Sequence, residues 1–179
     1  MPVVIVLAAG RGERFLASGG ATHKLQALLA GKAVIDHTLD AVKASGLPYH
    51  LVRADASRPG MGDSIAAGVE ATLGANGWLI LPADLPLVSG DTLRQIALAP
   101  PALATVPVVN GQRGHPVRFA SSCQQRLLSL RGNQGAASVI KALEATNSVA
   151  FINLDDLGCI TDIDTLADLQ TAHTLLATR

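Results

Sequence analysis

Residues 3–25 read VVIVLAAGRGERFLASGGATHKL. The first five are an unbroken aliphatic run, which suits a strand buried on both faces of a parallel sheet. Glycine punctuation follows at once: between Leu7 and Leu25 the chain carries four glycines, the cations Arg11, Arg14 and Lys24, and one carboxylate, Glu13. A loop leaving the C-terminal end of the first parallel strand lies where open α/β sheets bind their ligands. Gly10 and Gly12 let backbone N–H groups approach an anion without a Cβ in the way, and the three cations can neutralise it. The expected ligand is a polyphosphate. The spacing gives G-x-G followed by Glu13 and Arg14, with no third glycine, and no G-x-x-x-x-G-K-[ST] occurs. A nicotinamide-dependent oxidoreductase and a P-loop enzyme are therefore disfavoured.

A second stretch, PADLP at 82–86, follows the apolar run WLIL at 78–81. A carboxylate set between two prolines at the end of a buried strand is fixed in position at the same sheet edge. Asp84 there can hold Mg²⁺, because a magnesium ion is usually bound by one or two carboxylates plus substrate phosphate oxygens. The alternative is that Asp84 caps a turn.

Outward from these two stretches, strand and helix alternate at short intervals. Residues 33–45 place Val34, Ile35, Leu39 and Val42 on one helical face, with Gly46 and Pro48 as stop signals. Residues 49–52 fit a strand. After the turn SRPGMG, Ile65, Val69 and Leu73 repeat every fourth residue, with Asp63 and Ser64 as caps or first-turn residues. The second half predicts strands at 104–109 and 116–119 joined through NGQRGH, helices at about 122–129 and 136–145, a strand VAFIN at 149–153 and a last helix from Thr165. The order predicts a single α/β domain over 1–179, doubly wound around a mostly parallel sheet, with a small antiparallel addition in its second half.

Composition narrows the function classes. The chain has 179 residues, 49% of them hydrophobic but only 3% aromatic, so Ala, Val, Leu and Ile must fill the core. Its net charge is zero, which lacks the electrostatic footprint of a nucleic-acid-binding protein. No signal-peptide pattern and no apolar run of spanning length is read, so the expectation is a soluble cytoplasmic protein without a membrane partner. Cys123 and Cys159 lie far apart without metal-ligand spacing and predict neither a disulfide framework nor a zinc site.

LAAGRGERF with Lys24, then RPGMGDSIAAGV, PADLPLV, GHPV and DIDTLADL resemble, in that order, the motifs of the MobA/MocA-like nucleotidyltransferases, most closely the molybdenum cofactor cytidylyltransferase branch. The resemblance implies a Rossmann-like nucleotidyltransferase fold of GT-A-like type, which couples an NTP to a phosphorylated acceptor and releases pyrophosphate with Mg²⁺ as cofactor. Carried over by residue, Leu7, Ala8, Ala9 and Gly10 would line the nucleotide, with Gly12 in the same loop, and Arg14 and Lys24 would bind its phosphates. Asp84 matches the metal aspartate, so Arg14, Lys24 and Asp84 are the expected catalytic set. The segment from Pro59 to Ser64 resembles the part that contacts the base, with Gly60 and Ser64 as the expected contacts. Asp164 matches a second metal position, with Asp162 as competitor and a helix N-cap as the alternative role for either. His115 would face the acceptor or serve as a structural histidine.

LAAG and PADLP lean to the cytidylyltransferase branch, hence to CTP and to molybdopterin-bound molybdenum; the guanylyltransferase branch more often reads LAGG. The alternatives are another NTP transferase of the family with a different acceptor, and a nucleotide-binding module without catalysis. Transient docking to the enzyme that receives the cofactor is a further implied partner. Two departures stand out. LASGGATH at 16–23 lengthens the loop before Lys24, its part from Ser18 to Thr22 being expected to move when empty on two glycine hinges, and Asn133 in RGNQG stands where the family turn commonly carries an acid.

Overall fold

The aliphatic run is strand β1 (Val3–Ala8), and its successive side chains go to opposite faces: Val4 and Val6 enter one core, Ile5 and Leu7 another. The computed structural model describes residues 1–57 and 59–178, so Arg58 of the second motif lies outside the described residues. After β1 come α1 (Glu13–Ala17), a small hairpin of β2 (Leu28–Leu29) and β3 (Lys32–Ala33), α2 (Val34–Ser45), β4 (Tyr49–Arg53), α3 (Met61–Ala71) and β5 (Gly77–Pro82). Then follow α4 (Gly90–Ala97), β6 (Ala104–Val109), β7 (Gln112–Arg113), β8 (Val117–Ala120), α5 (Gln124–Leu128), α6 (Ala137–Glu144), β9 (Val149–Asn153) and α7 (Leu166–Ala177).

The main sheet runs β4, β1, β5, β8, β6, with β9 also on β6 and β7 hairpinned to β6. β1 lies between β4 and β5 and is parallel to both, β8 is antiparallel to both β5 and β6, and β9 is parallel to β6. The doubly wound, mostly parallel sheet with an antiparallel addition in its second half is therefore present. Helices α2, α4 and α7 cover one face, where Val42, Ile96 and Ala172 meet Leu79 and Leu81. The other face takes α3, α5 and α6 over Trp78 and Ile80. Trp78, Phe15 and Phe119 are the large aromatic anchors, and aliphatic side chains fill the rest.

Several elements differ from the sequence expectation. The Asn110-Gly111 dipeptide alone makes the turn after β6, with φ of 51° and 78°, because a two-residue hairpin needs positive φ at both positions. NGQRGH is thus a tight hairpin plus a connection, not one long loop. Helix α3 stops at Ala71, leaving Leu73 58% exposed rather than on the buried face. α4 had no counterpart in the sequence reading, although Ser89 accepts the Thr92 N–H as its N-cap. At the start of the lengthened loop, Ser18 Oγ donates to the Phe15 carbonyl at 2.8 Å and accepts the Leu166 N–H at 3.0 Å. Cys123 and Cys159 are both buried, and no disulfide joins them. No helix among the described residues is long and apolar enough to cross a membrane.

The chain after β9 is tied back to α4 through Asp156. Its carboxylate accepts the Ser89 N–H at 3.0 Å and the Thr92 hydroxyl at 2.7 Å, while its second oxygen accepts the Gly158 N–H at 2.9 Å. Burial works against the charged form, but these bonds together outweigh it and hold the carboxyl below its usual range. A carboxylate depressed in the folded state adds stability above its unfolded pKa of about 4, and that contribution is lost as pH falls through the folded value. Asp156→Asn is expected to cost about 2 kcal/mol at pH 7, read as a lower Tm. The gap to the parent protein should narrow below about pH 4; a gap independent of pH counts against the carboxylate's role.

Candidate active site

β1 and β5 end side by side, and the loops that leave them form one wall each of a cleft of ≈ 900 Å³. The β5 exit is fixed from two directions. Thr38, fully buried on α2, donates its hydroxyl to the Ala83 carbonyl at 2.9 Å, and the Ile163 N–H donates to the Asp84 carbonyl at 2.9 Å. The second bond brings the segment before α7 against the PADLP turn, so Asp164 arrives beside Asp84 although 80 residues separate them in sequence.

Between the two carboxylates lies the Lys24 ammonium, 2.6 Å from Asp84 Oδ2 and 2.7 Å from Asp164 Oδ1. Arg14 reaches the other Asp164 oxygen at 2.7 Å. The lysine and both aspartates are largely shielded, with side-chain exposures of 11%, 15% and 17%, whereas the Arg14 side chain is 77% exposed. Burial opposes the charged lysine, yet the charge of Asp84 and the bonds to both aspartates outweigh it and raise its pKa. Lys24 is therefore a firm cation at neutral pH. An ammonium has three N–H donors, so one remains for a ligand after both aspartates are served. Asp84 Oδ1 is buried and has no hydrogen-bond partner.

Of the expected nucleotide residues, Leu7, Ala9, Gly10, Gly12, Arg14, Lys24, Gly60 and Ser64 line the cleft, and Ala8 does not. Ala8 instead packs against the core on the α2 side. Among the described residues, the N–H groups of Gly10, Arg11 and Gly12 have no hydrogen-bond partner. Ser64 is only 4% exposed, and its hydroxyl donates to the Gly60 carbonyl at 3.1 Å, so that proton is already used inside α3. Asp63 serves the start of the same helix: its carboxylate accepts the N–H groups of Gly60 at 3.2 Å and Gly132 at 3.0 Å. Gly60 and Gly132 touch so closely that a Cβ on Gly60 would stand 2.1 Å from the Gly132 backbone, and only glycine fits. The RGNQG turn, with Asn133 on the cleft, is thereby packed against the start of α3.

Asp164, not Asp162, reaches Lys24 and Arg14, and neither aspartate is a helix cap. Thr165 caps α7, bonded reciprocally to Asp168. Asp162 also lines the cleft, and partial desolvation of its carboxyl, together with the charges of the nearby Asp84, Asp164 and Asp168, raises its pKa. His115 lines the cleft with Nδ1 buried and unpartnered. Burial pushes its pKa down, with the Ile80 backbone and Asp84 opposing, so the ring is neutral at pH 7. The sequence reading missed two parts of the site. One is the β7 rim, where Arg113 is held by Glu144 at 2.5 Å and over the Phe151 ring at 4.8 Å. Asn110-Gly111 was the available signal for that hairpin. The other lies behind the cleft: the His23 ring reaches back 13 residues to the Gly10 carbonyl oxygen at 2.8 Å.

A family model described as MobA-like NTP transferase domain matches residues 4–147. The purine catabolism protein PucB of Bacillus subtilis (strain 168) is 34% identical over 133 residues, which span 67% of this chain and 63% of that protein. A nucleotidyl transferase structure from Methanothermobacter thermautotroptrophicus superposes with TM-score 0.81 at 22% identity, covering 100% of this chain and 99% of that one. The Rv0371C complex with manganese from Mycobacterium tuberculosis H37Rv gives TM-score 0.70 at 21% identity, covering 96% and 97% of the two chains. With four-fifths of its length under that family model and a lysine, two aspartates and a bare glycine loop meeting in one cleft, the chain belongs to the MobA-like NTP transferase family.

Proposed function

We propose that this nucleotidyltransferase is Mg²⁺-dependent, uses CTP, and transfers the cytidylyl group to a phosphorylated acceptor, molybdopterin-bound molybdenum in particular. The observation that carries the reading is the Arg14–Asp164–Lys24–Asp84 chain of charges beside three loop N–H groups without partners. A triphosphate supplies what such a cradle lacks, namely anionic oxygens for the amides, for Arg14 and for the third Lys24 donor. The carboxylates of Asp84 and Asp164 fit a divalent ion: they converge on one cation, and Asp84 Oδ1 is a buried oxygen still to be satisfied. Among the described residues, no group of three His, Cys, Asp or Glu side chains can hold a metal alone, so phosphate oxygens would complete the coordination. Bound there, the ion would supply charge neutralisation on the transferring phosphate.

The chain's own residues do the rest by position and charge. A phosphate monoester has its second pKa near about 6, so the acceptor oxygen is already ionised at neutral pH and needs no base. That oxygen forms a bond to the α-phosphorus while the α–β bridging bond breaks and pyrophosphate leaves. Lys24 and Arg14 offset the charge that develops on the departing group, and the loop amides keep the triphosphate in line. His115, neutral, lines what would be the acceptor side of the cleft, with its Nδ1 buried and without a partner among the described residues.

A second reading keeps the transfer and changes the acceptor. Asn133 lies on the cleft where the family turn commonly carries an acid, and the curated relative is named a purine catabolism protein.

Asp84→Ala is expected to lower Mg²⁺-dependent pyrophosphate release from CTP by roughly a hundredfold or more while leaving a cooperative melting transition. Near-normal turnover in the folded variant rejects the assignment. Lys24→Ala is expected to weaken nucleotide binding by about tenfold or more. Thermal stabilisation by CTP and by GTP, each with Mg²⁺, decides the base; a larger shift with GTP rejects the cytidylyl reading.

A further inference from the structure

The chain between Arg14 and Lys24 is longer than the family's usual spacing, yet both side chains arrive at Asp164. The outer half of this loop is held by the bonds of Ser18 and by the Gly20 N–H, which donates to the Phe15 carbonyl at 3.1 Å. Its neck is closed by one side chain, His23. Nε2 of the imidazole lies 2.8 Å from the Gly10 carbonyl oxygen, and Nδ1 accepts the Leu25 N–H at 3.3 Å. A backbone N–H can only donate, so Nδ1 is the bare nitrogen and Nε2 carries the proton given to Gly10. The ring also lies against Gly12, where a Cβ would stand 3.2 Å from it. His23 itself does not line the cleft, whereas Gly10, Gly12, Lys24 and Leu25 all do.

We infer that His23 is a positioning residue for the nucleotide: by clasping the Gly10 carbonyl it holds the amide loop and Lys24 in register on one triphosphate. The inference rests on the reading that the 10–12 loop binds phosphates. One ring touches both ends of the segment, at Gly10 and Gly12 on the first side and next to Lys24 on the second. Without the clasp, the Gly10 end of the loop loses its direct bond to the residue next to Lys24, and more of the ordering cost falls on ligand binding. With it, the cradle is preorganised. The bonds of Lys24 to Asp84 and Asp164 do not involve the ring, so the defect is expected to fall on binding more than on the bond-breaking step.

The test compares the parent protein with His23→Ala, His23→Gln and His23→Asn in calorimetric titrations with MgCTP, MgGTP and magnesium pyrophosphate, with kcat and KM measured under turnover. Gln retains a distal N–H to reach Gly10, whereas Asn retains only the proximal acceptor for Leu25. His23→Ala and His23→Asn are expected to bind about tenfold more weakly and to raise KM more than they lower kcat. His23→Gln is expected to restore most of the affinity. Rescue by Asn and not by Gln makes the ring a cap for Leu25 alone and overturns the inference, as does parental affinity in all three variants. A melting curve on each variant ties the comparison to folded protein. If the parent protein binds none of the three probes, the phosphate reading of the loop fails first and the inference falls with it; binding by the parent with an unaffected Ala variant sinks the inference alone.

Discussion

The ammonium of Lys24 between Asp84 and Asp164 is the contact on which the site depends. It joins three segments of the chain: the loop after β1, the turn after β5 and the lead-in to α7. Such a contact contributes little net stability, because shielding three charges carries a desolvation cost that mutual attraction only partly returns. Arg14, mostly exposed at the end of the same chain of charges, adds still less to stability. The cluster makes physical sense as a preorganised electrostatic surface. Two carboxylates are held close by a cation that keeps one donor free, beside amides that have no partner among the described residues.

Neutral hydrogen bonds hold that surface in place from behind. Thr38 fixes the carbonyl just before Asp84, the Ile163 N–H fixes that of Asp84 itself, and Asp63 grips both Gly60 and Gly132. The last of these joins the start of α3 to the turn that carries Asn133, across the cleft lining. The helices behind these contacts are packed on both faces of the sheet, which gives the loops a rigid base. Function therefore resides in short connections anchored by buried strands.

Much of the fold was legible from local pattern. Unbroken apolar strands at 3–7 and 78–81 suit burial on both sides, and helical periodicity between them implies crossovers. Where signals were short, they were missed. β2, β3 and β7 have two residues each, too few to show a period, and α4 has its buried residues at Leu93, Ile96 and Ala97 within a single eight-residue helix. Leu73 kept the period of α3 past its end, because periodicity does not mark where the backbone turns away.

The sequence by itself determined which chemistries were present: a glycine loop with cations, an aspartate between prolines and a late aspartate pair, because residue type and local spacing are covalent facts. Only the tertiary structure decided that Asp164 rather than Asp162 faces Lys24, that Ser64 spends its proton inside α3, and that His23 meets Gly10. Those choices depend on distances between segments as many as 140 residues apart, and such distances are set by strand order and helix packing, which no local window contains.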